Sequence, residues 1–144
     1  RLKAMVVEGG TMFMVPSWLM LLDHNYTDIQ FSAKLGDFRS HLSMAPSEYF
    51  ARNCGIGASC VPRRDLDMRD QIGLKQIMWG SDFPHPEGTW PNTAQYYQDT
   101  FKGFDVDDGR QILGGNAIEF YGLDRQYLDG LAAEIGPSSS IFNG

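Results

Sequence analysis

The chain has 144 residues and a formal net charge of −6, with 42% hydrophobic and 21% charged residues. This length suits one domain, and the composition is ordinary for a soluble globular protein, which excludes a mainly disordered chain, collagen or a coiled coil. The negative charge argues against a nucleic-acid partner, because phosphate backbones are held mainly by lysine and arginine. The longest apolar run, residues 18–22, is far below the roughly 20 residues of a membrane span, so no membrane partner is expected.

Two features of the sequence bear on the cellular compartment of the protein: it shows no signal-peptide pattern, and it has two cysteines. Cys54 and Cys60 lie six residues apart in a glycine-rich apolar segment. This spacing suits neither a disulfide framework nor a zinc ribbon. We therefore expect buried, reduced thiols and a cytoplasmic protein.

Short apolar strands alternate with helical patterns along the chain, which predicts an α/β fold of parallel βαβ units. The last residues, 136–144, are rich in glycine and serine and predict a loose tail. Strands are predicted at 4–7, 55–61 and 75–79, and helices at 16–22, 33–42, 46–51, 63–71, 93–102, 106–113, 116–121 and 125–135.

Functional residues of parallel sheets gather at the carboxyl ends of the strands. The predicted strands place Glu8, Cys60 and Asp82 at those ends. Gly9 and Gly10 follow Glu8 and would let backbone or ligand come close. We therefore expect functional residues at these three strand ends.

The most informative segment is residues 79–91, where an apolar strand delivers Asp82 into a proline-rich loop with His85, Glu87 and Trp90. A carboxylate at that position can bind a divalent metal or take a proton from a metal-bound water. The alternative is that Asp82 caps a turn and the prolines stiffen a loop.

Structural alternatives also exist for the other polar residues. Glu8 could be a carboxylate near the positive backbone donors of a helix terminus, and His85 a surface imidazole. His24 and His41 have no partner at metal-ligand spacing in the sequence, so we expect them to be structural.

Four segments together resemble a known family. Gly-Ser-Asp-Phe-Pro-His at 80–85, Glu-Gly-Thr-Trp-Pro at 87–91, Leu-Gly-Gly-Asn-Ala at 113–117 and Val-Val-Glu-Gly-Gly at 6–10 are similar to the C-terminal part of the amidohydrolase-related family. The resemblance is to the branch of aminocarboxymuconate-semialdehyde decarboxylase, which holds metal-dependent hydrolases, decarboxylases and hydratases. It covers roughly residues 2–124.

The resemblance implies an α/β fold, namely the C-terminal portion, about three βα units plus terminal helices, of a (β/α)₈ TIM barrel. It makes Asp82 the metal-binding carboxylate and general base of the last strand, and Glu8 an auxiliary acid or base where the decarboxylase has histidine. His85, Glu87 and Trp90 would contact substrate at the pocket mouth. The implied cofactor is a divalent metal, with Zn²⁺ as the expected ion.

The family takes its histidine ligands from strands upstream of this sequence, so residues 1–124 are expected to be the C-terminal part of a barrel, with 125–144 a terminal helix and flexible tail. The predicted function is that of a metal-dependent hydrolase or decarboxylase of a small organic carboxylic substrate. Its expected partner is either the missing N-terminal part of the barrel or another copy in a homo-oligomer. The alternatives are a catalytically incomplete partial barrel that serves as an assembly module, and an unrelated small α/β domain.

Overall fold

A three-stranded parallel sheet organises the fold. The computed structural model describes residues 2–8, 12–28 and 36–143. Consecutive strands are neighbours, in the order β1-β2-β3, and both pairings are parallel. The predicted parallel βαβ arrangement is therefore confirmed. The strands are β1 (Ala4–Val6), β2 (Cys54–Ser59) and β3 (Ile77–Gly80).

The segment between β1 and β2 is helical where the structure describes it. The helix start predicted at Pro46 is confirmed: the proline occupies the first turn, and the Glu48 carboxylate accepts a hydrogen bond from the Ala45 backbone N–H at 2.8 Å. The helix predicted at 33–42 is wrong over its described part, 36–42, which forms only a 3₁₀ turn, and residues 33–35 lie outside the described ranges. The observed elements are a 3₁₀ turn (Met12–Met14), α1 (Val15–Thr27), a second 3₁₀ turn (Arg39–His41) and α2 (Pro46–Asn53).

The single helix predicted at 63–71 is wrong, because the chain forms two short helices there. Met68, at the junction, has ψ of 10° and leaves the helical conformation. Gly73 ends the second helix as predicted, with a φ of 107° that favours glycine. The elements between β2 and β3 are α3 (Arg63–Leu66), α4 (Arg69–Ile72) and a 3₁₀ turn (Leu74–Gln76).

Helices alone follow β3 in the described part of the chain. Asp105 caps the second of them by accepting hydrogen bonds from the backbone N–H groups of Asp107 and Asp108. The helix predicted at 106–113 instead passes into a π-helical turn and then directly into the next helix. These elements are α5 (Thr93–Phe101), α6 (Val106–Arg110), the π turn (Gln111–Gly115), α7 (Asn116–Tyr121), α8 (Arg125–Ile135) and a final 3₁₀ turn (Ser139–Phe142).

The hydrophobic core lies between the sheet and these helices. The Phe101 ring is fully buried and meets the rings of Phe104 and Phe142 edge-on, at centroid distances of 5.7 and 6.0 Å. The other buried members of the cluster are Met12, Val15, Ile56, Ala58, Val61, Leu66, Ile72, Ile77, Ile112 and Ile141.

The loose tail predicted at 136–144 is wrong for its last apolar residues. Ile141 and Phe142 are each only 7% exposed, and the Phe142 carbonyl accepts a hydrogen bond from the Gly103 backbone N–H at 2.9 Å. Burial of this apolar pair offsets the conformational entropy of a segment that is otherwise rich in glycine and serine.

A buried amide fastens α7 to β3. The Asn116 side chain donates to the backbone carbonyls of Leu74 and Ile77, both at 2.7 Å. Leu74 begins the 3₁₀ turn and Ile77 begins β3, so the amide holds both the turn and the start of the strand against α7.

Apolar side chains remain exposed along β1 and α1. Val6 and Val7 are 53% and 72% exposed, and on α1 Trp18, Met20 and Leu21 are also exposed. No helix among the described residues is both long and apolar enough to cross a membrane.

Candidate metal centre

The three strand-end residues predicted from the sequence share an unusual backbone conformation. Glu8, Cys60 and Asp82 have φ values of 55°, 51° and 59°, and within the described ranges they are the non-glycine residues with positive φ. This left-handed conformation costs of order 1–3 kcal/mol in a residue with a β-carbon and recurs at functional sites. Each strand therefore ends in a sharp turn that redirects a side chain carrying a polar or ionisable group.

Asp82 and His85 are joined by a short turn after β3. The His85 backbone N–H donates to the Asp82 carbonyl at 2.9 Å, which folds the loop back on itself. The side chains then meet, with 3.0 Å between His85 Nδ1 and Asp82 Oδ1. The Asp82 side chain is 15% exposed and the His85 ring 54%, so the carboxylate lies beneath the imidazole.

Glu8 completes a cluster with these two residues. One ligand atom from each of Glu8, Asp82 and His85 lies within 4.8 Å of the others. Glu8 follows β1 and Asp82 follows β3, and strands separated by one neighbour lie roughly 10 Å apart. The side chains therefore lean toward each other across the end of β2.

The donor chemistry of this cluster fits a divalent cation. Two carboxylates and one imidazole form an oxygen and nitrogen set of the kind that Zn²⁺, Mn²⁺ or Fe²⁺ accepts. Three protein ligands also match the number found in catalytic zinc sites, where a further position stays open for water or substrate. The residues present are therefore suited to hold a metal of this class.

Gly88 holds the loop of this cluster tight. A β-carbon at Gly88 would lie 2.8, 2.9 and 3.0 Å from the backbone carbonyl oxygens of Ser81, Asp82 and His85. The loop closes further along, where the Thr89 backbone N–H donates to the Ser81 carbonyl at 2.9 Å. Thr89 is itself buried. Sequence reasoning missed the roles of Gly88 and Thr89, although both lie within the segment 79–91 that predicts the site.

Cys60 occupies the third strand end and borders the cluster. Its Sγ lies 3.6 Å from the Glu87 carbonyl oxygen, and the Tyr96 hydroxyl on α5 donates to its backbone carbonyl. Burial raises the pKa of the Cys60 thiol, and the negative charges of Asp82 and Glu87 raise it further. Both cysteines are free and half-buried. Sequence reasoning missed Tyr96, because its contact joins residues 36 positions apart.

Glu87 and Trp90 lie outside the cluster of ligand atoms. Glu87 is exposed, and Trp90 forms an exposed edge-to-face pair with Phe83, with ring centroids 5.8 Å apart. His24 and His41 are exposed residues of α1 and of a 3₁₀ turn, and neither belongs to the cluster. His85, predicted only as a substrate contact, is brought into the set of possible ligands.

Comparison with known proteins decides the family. A family model described as amidohydrolase matches residues 26–123. The chain belongs to the amidohydrolase family. No curated protein matches the chain. Membership indicates an enzyme of the metal-dependent hydrolase or decarboxylase type, in a family whose members typically bind a divalent metal.

The amidohydrolase match covers part of the cluster. Asp82 and His85 lie inside the matched residues, and so do Glu87 and Trp90, whereas Glu8 precedes them. The small parallel sheet is consistent with part of an amidohydrolase domain. The family model identifies the amidohydrolase family but no branch within it, so membership in the decarboxylase branch stays a prediction.

Proposed function

We propose that this chain carries part of the active site of a metal-dependent hydrolase or decarboxylase that acts on a small organic carboxylic substrate. The observation that carries the proposal is the convergence of Glu8, Asp82 and His85 within 4.8 Å, at the carboxyl ends of parallel strands in a member of the amidohydrolase family. In this proposal the three strands are the last strands of a (β/α)₈ barrel, whose active sites lie at that same end.

Asp82 is the proposed metal ligand and general base. Glu8 and His85 would be this chain's other ligands, with Zn²⁺ as the expected ion. A bound cation would supply the positive charge that activates water or polarises a carbonyl or carboxylate of the substrate. His85 Nδ1 lies 3.0 Å from Asp82 Oδ1, so a cation held by both residues would replace this contact.

Glu8 bears on the choice between hydrolysis and decarboxylation. Its carboxylate stands where the resemblance places the catalytic histidine of the decarboxylase, and its negative charge opposes an anionic substrate unless a cation is bound. In this proposal Glu8 is an auxiliary acid or base.

The proposed substrate contacts at the mouth of the active site are the exposed Phe83–Trp90 pair and Glu87.

The test replaces Asp82 and follows metal and turnover separately. In the full-length protein, Asp82→Ala is expected to weaken Zn²⁺ binding in calorimetry, and to lower turnover of a panel of small carboxylates by at least about 10²-fold, as loss of a general base does. Release of CO₂ from carboxyl-labelled substrates separates decarboxylation from hydrolysis. Asp99→Asn is the control, because Asp99 is an exposed α5 carboxylate outside the cluster. Full turnover by Asp82→Ala would exclude the proposed role.

The alternative is a partial barrel that acts only as an assembly module. It is favoured by the exposed apolar residues of β1 and α1, including Val6 and Met20, since proteins normally cover such surfaces and strand edges. Native mass spectrometry separates the two candidates. A protein that carries about one divalent metal supports the enzyme, whereas a metal-free oligomer of the 144-residue chain supports the module.

A further inference from the structure

A cavity of about 620 Å³ opens between the π turn, α7, α8 and the final 3₁₀ turn. None of its lining residues belongs to the Glu8–Asp82–His85 cluster. Its volume lies within the roughly 300–1,000 Å³ typical of small-molecule sites. One wall is the π turn itself, a distortion that is rare in helices and frequent at functional sites.

The interior of the cavity is mainly apolar. Leu113 and Ile118 come from the π turn and α7, Leu128 comes from α8, and Ile141 comes from the C-terminal 3₁₀ turn. Gly114 also lines the cavity, and a β-carbon there would meet no atom within 4 Å. The glycine therefore leaves open space at this part of the lining.

Two arginines are among the lining residues of this apolar space. The Arg110 side chain forms no hydrogen bond or ion pair within the part of the chain that the structure describes. Arg125 is 4.0 Å from Asp129 Oδ1, which is the outer limit of an ion pair. With Asp129 included, the lining keeps one net positive charge, on a protein whose net charge is −6.

We propose that this cavity binds an amphiphilic carboxylate, with its head group at Arg110 and Arg125 and its apolar body against Leu113, Ile118 and Leu128. One surplus positive charge matches a singly charged head group. The planar guanidinium pairs with a carboxylate through two parallel hydrogen bonds, a geometry that an alcohol cannot reproduce. This inference does not rest on the metal centre.

The test measures decanoate binding by isothermal titration calorimetry. Decanol, which has the apolar chain without the carboxylate, and acetate, which has the carboxylate without the chain, are the comparison ligands. Saturable decanoate binding is expected, and both comparison ligands should bind at least about tenfold more weakly. Gly114→Leu adds a side chain to the lining and should weaken decanoate binding by about tenfold or more. Gly130→Leu is the matched control, because a β-carbon at Gly130 also meets no atom within 4 Å and Gly130 does not line the cavity.

Two more variants keep the result decisive. Arg110→Gln changes an exposed, unpaired side chain, so it should keep the fold and weaken decanoate binding by about tenfold. Asp82→Ala should leave decanoate binding unchanged, because a carboxylate bound by the metal centre would depend on Asp82. Absence of saturable decanoate binding would overturn the proposal. So would decanoate binding that keeps its wild-type affinity in Arg110→Gln, or binding that is lost in Asp82→Ala.

Discussion

Replacing Gly88 with alanine tests how tightly the loop of the metal centre is held. The new β-carbon would lie 2.8–3.0 Å from three backbone carbonyl oxygens, whereas ordinary contact begins at 3.4 Å. The oxygens of Ser81, Asp82 and His85 must therefore retreat by about 0.4–0.6 Å. They belong to the backbone of the ligand loop, so the Asp82 and His85 side chains must move with them.

Two effects of Gly88→Ala follow from this displacement. A misplacement of 1 Å in a catalytic constellation can cost roughly 10²-fold, so a shift of half that size should weaken Zn²⁺ binding by about tenfold. Overpacking of the loop should also cost about 1–3 kcal/mol of unfolding free energy. Calorimetric titration with Zn²⁺ and urea denaturation measure the two effects independently.

The control for Gly88→Ala is Gly130→Ala on α8, where a β-carbon meets no atom within 4 Å. There we expect unchanged Zn²⁺ affinity and a gain of about 0.5–1 kcal/mol from higher helix propensity. If Gly88→Ala bound Zn²⁺ like the wild type and unfolded at the same urea concentration, the close approach at Gly88 would not constrain the site.

Two further predictions concern Cys60 and Asn116. Because the charge of Asp82 contributes to the raised pKa of the Cys60 thiol, Asp82→Asn should lower that pKa and speed alkylation by iodoacetamide at pH 8 without metal. The comparison is made in a Cys54→Ser background, and an unchanged rate would contradict the proximity of the two groups. Asn116→Leu should cost about 1–3 kcal/mol in urea denaturation, because it removes two hydrogen bonds from a buried side chain to backbone carbonyls, and a loss below about 0.5 kcal/mol would contradict this account.

The predictable part of the site followed from a general rule about parallel sheets. The sequence predicts functional residues at Glu8, Cys60 and Asp82 because each marks the end of an apolar strand. All three lie at strand ends in the structure. The inclusion of His85 in the cluster was not predictable. It depends on the return of the loop through the His85–Asp82 backbone hydrogen bond and on close packing at Gly88.

Errors in the predicted fold have local physical causes. The sequence predicts two separate helices, at 106–113 and 116–121, whereas a π turn at Gln111–Gly115 joins the helices on either side of it. Local periodicity does not reveal the extra residue of a π turn. Composition suggested a loose C-terminal tail, yet the burial of Phe142 depends on the ring of Phe101, which lies 41 positions earlier. Contacts of this range leave no trace in local composition.

The residues with positive φ at the strand ends lower the stability of the fold, yet two of them supply carboxylates to the metal centre. Glycine at positions 8, 60 or 82 would remove the steric cost of a positive φ, so a redesign that optimised stability alone would favour it there. At positions 8 and 82 the same substitution would delete the two carboxylates of the metal centre. Sequence variants selected only for resistance to heat should therefore be checked at these positions first, because a gain in melting temperature there would mark the loss of the site.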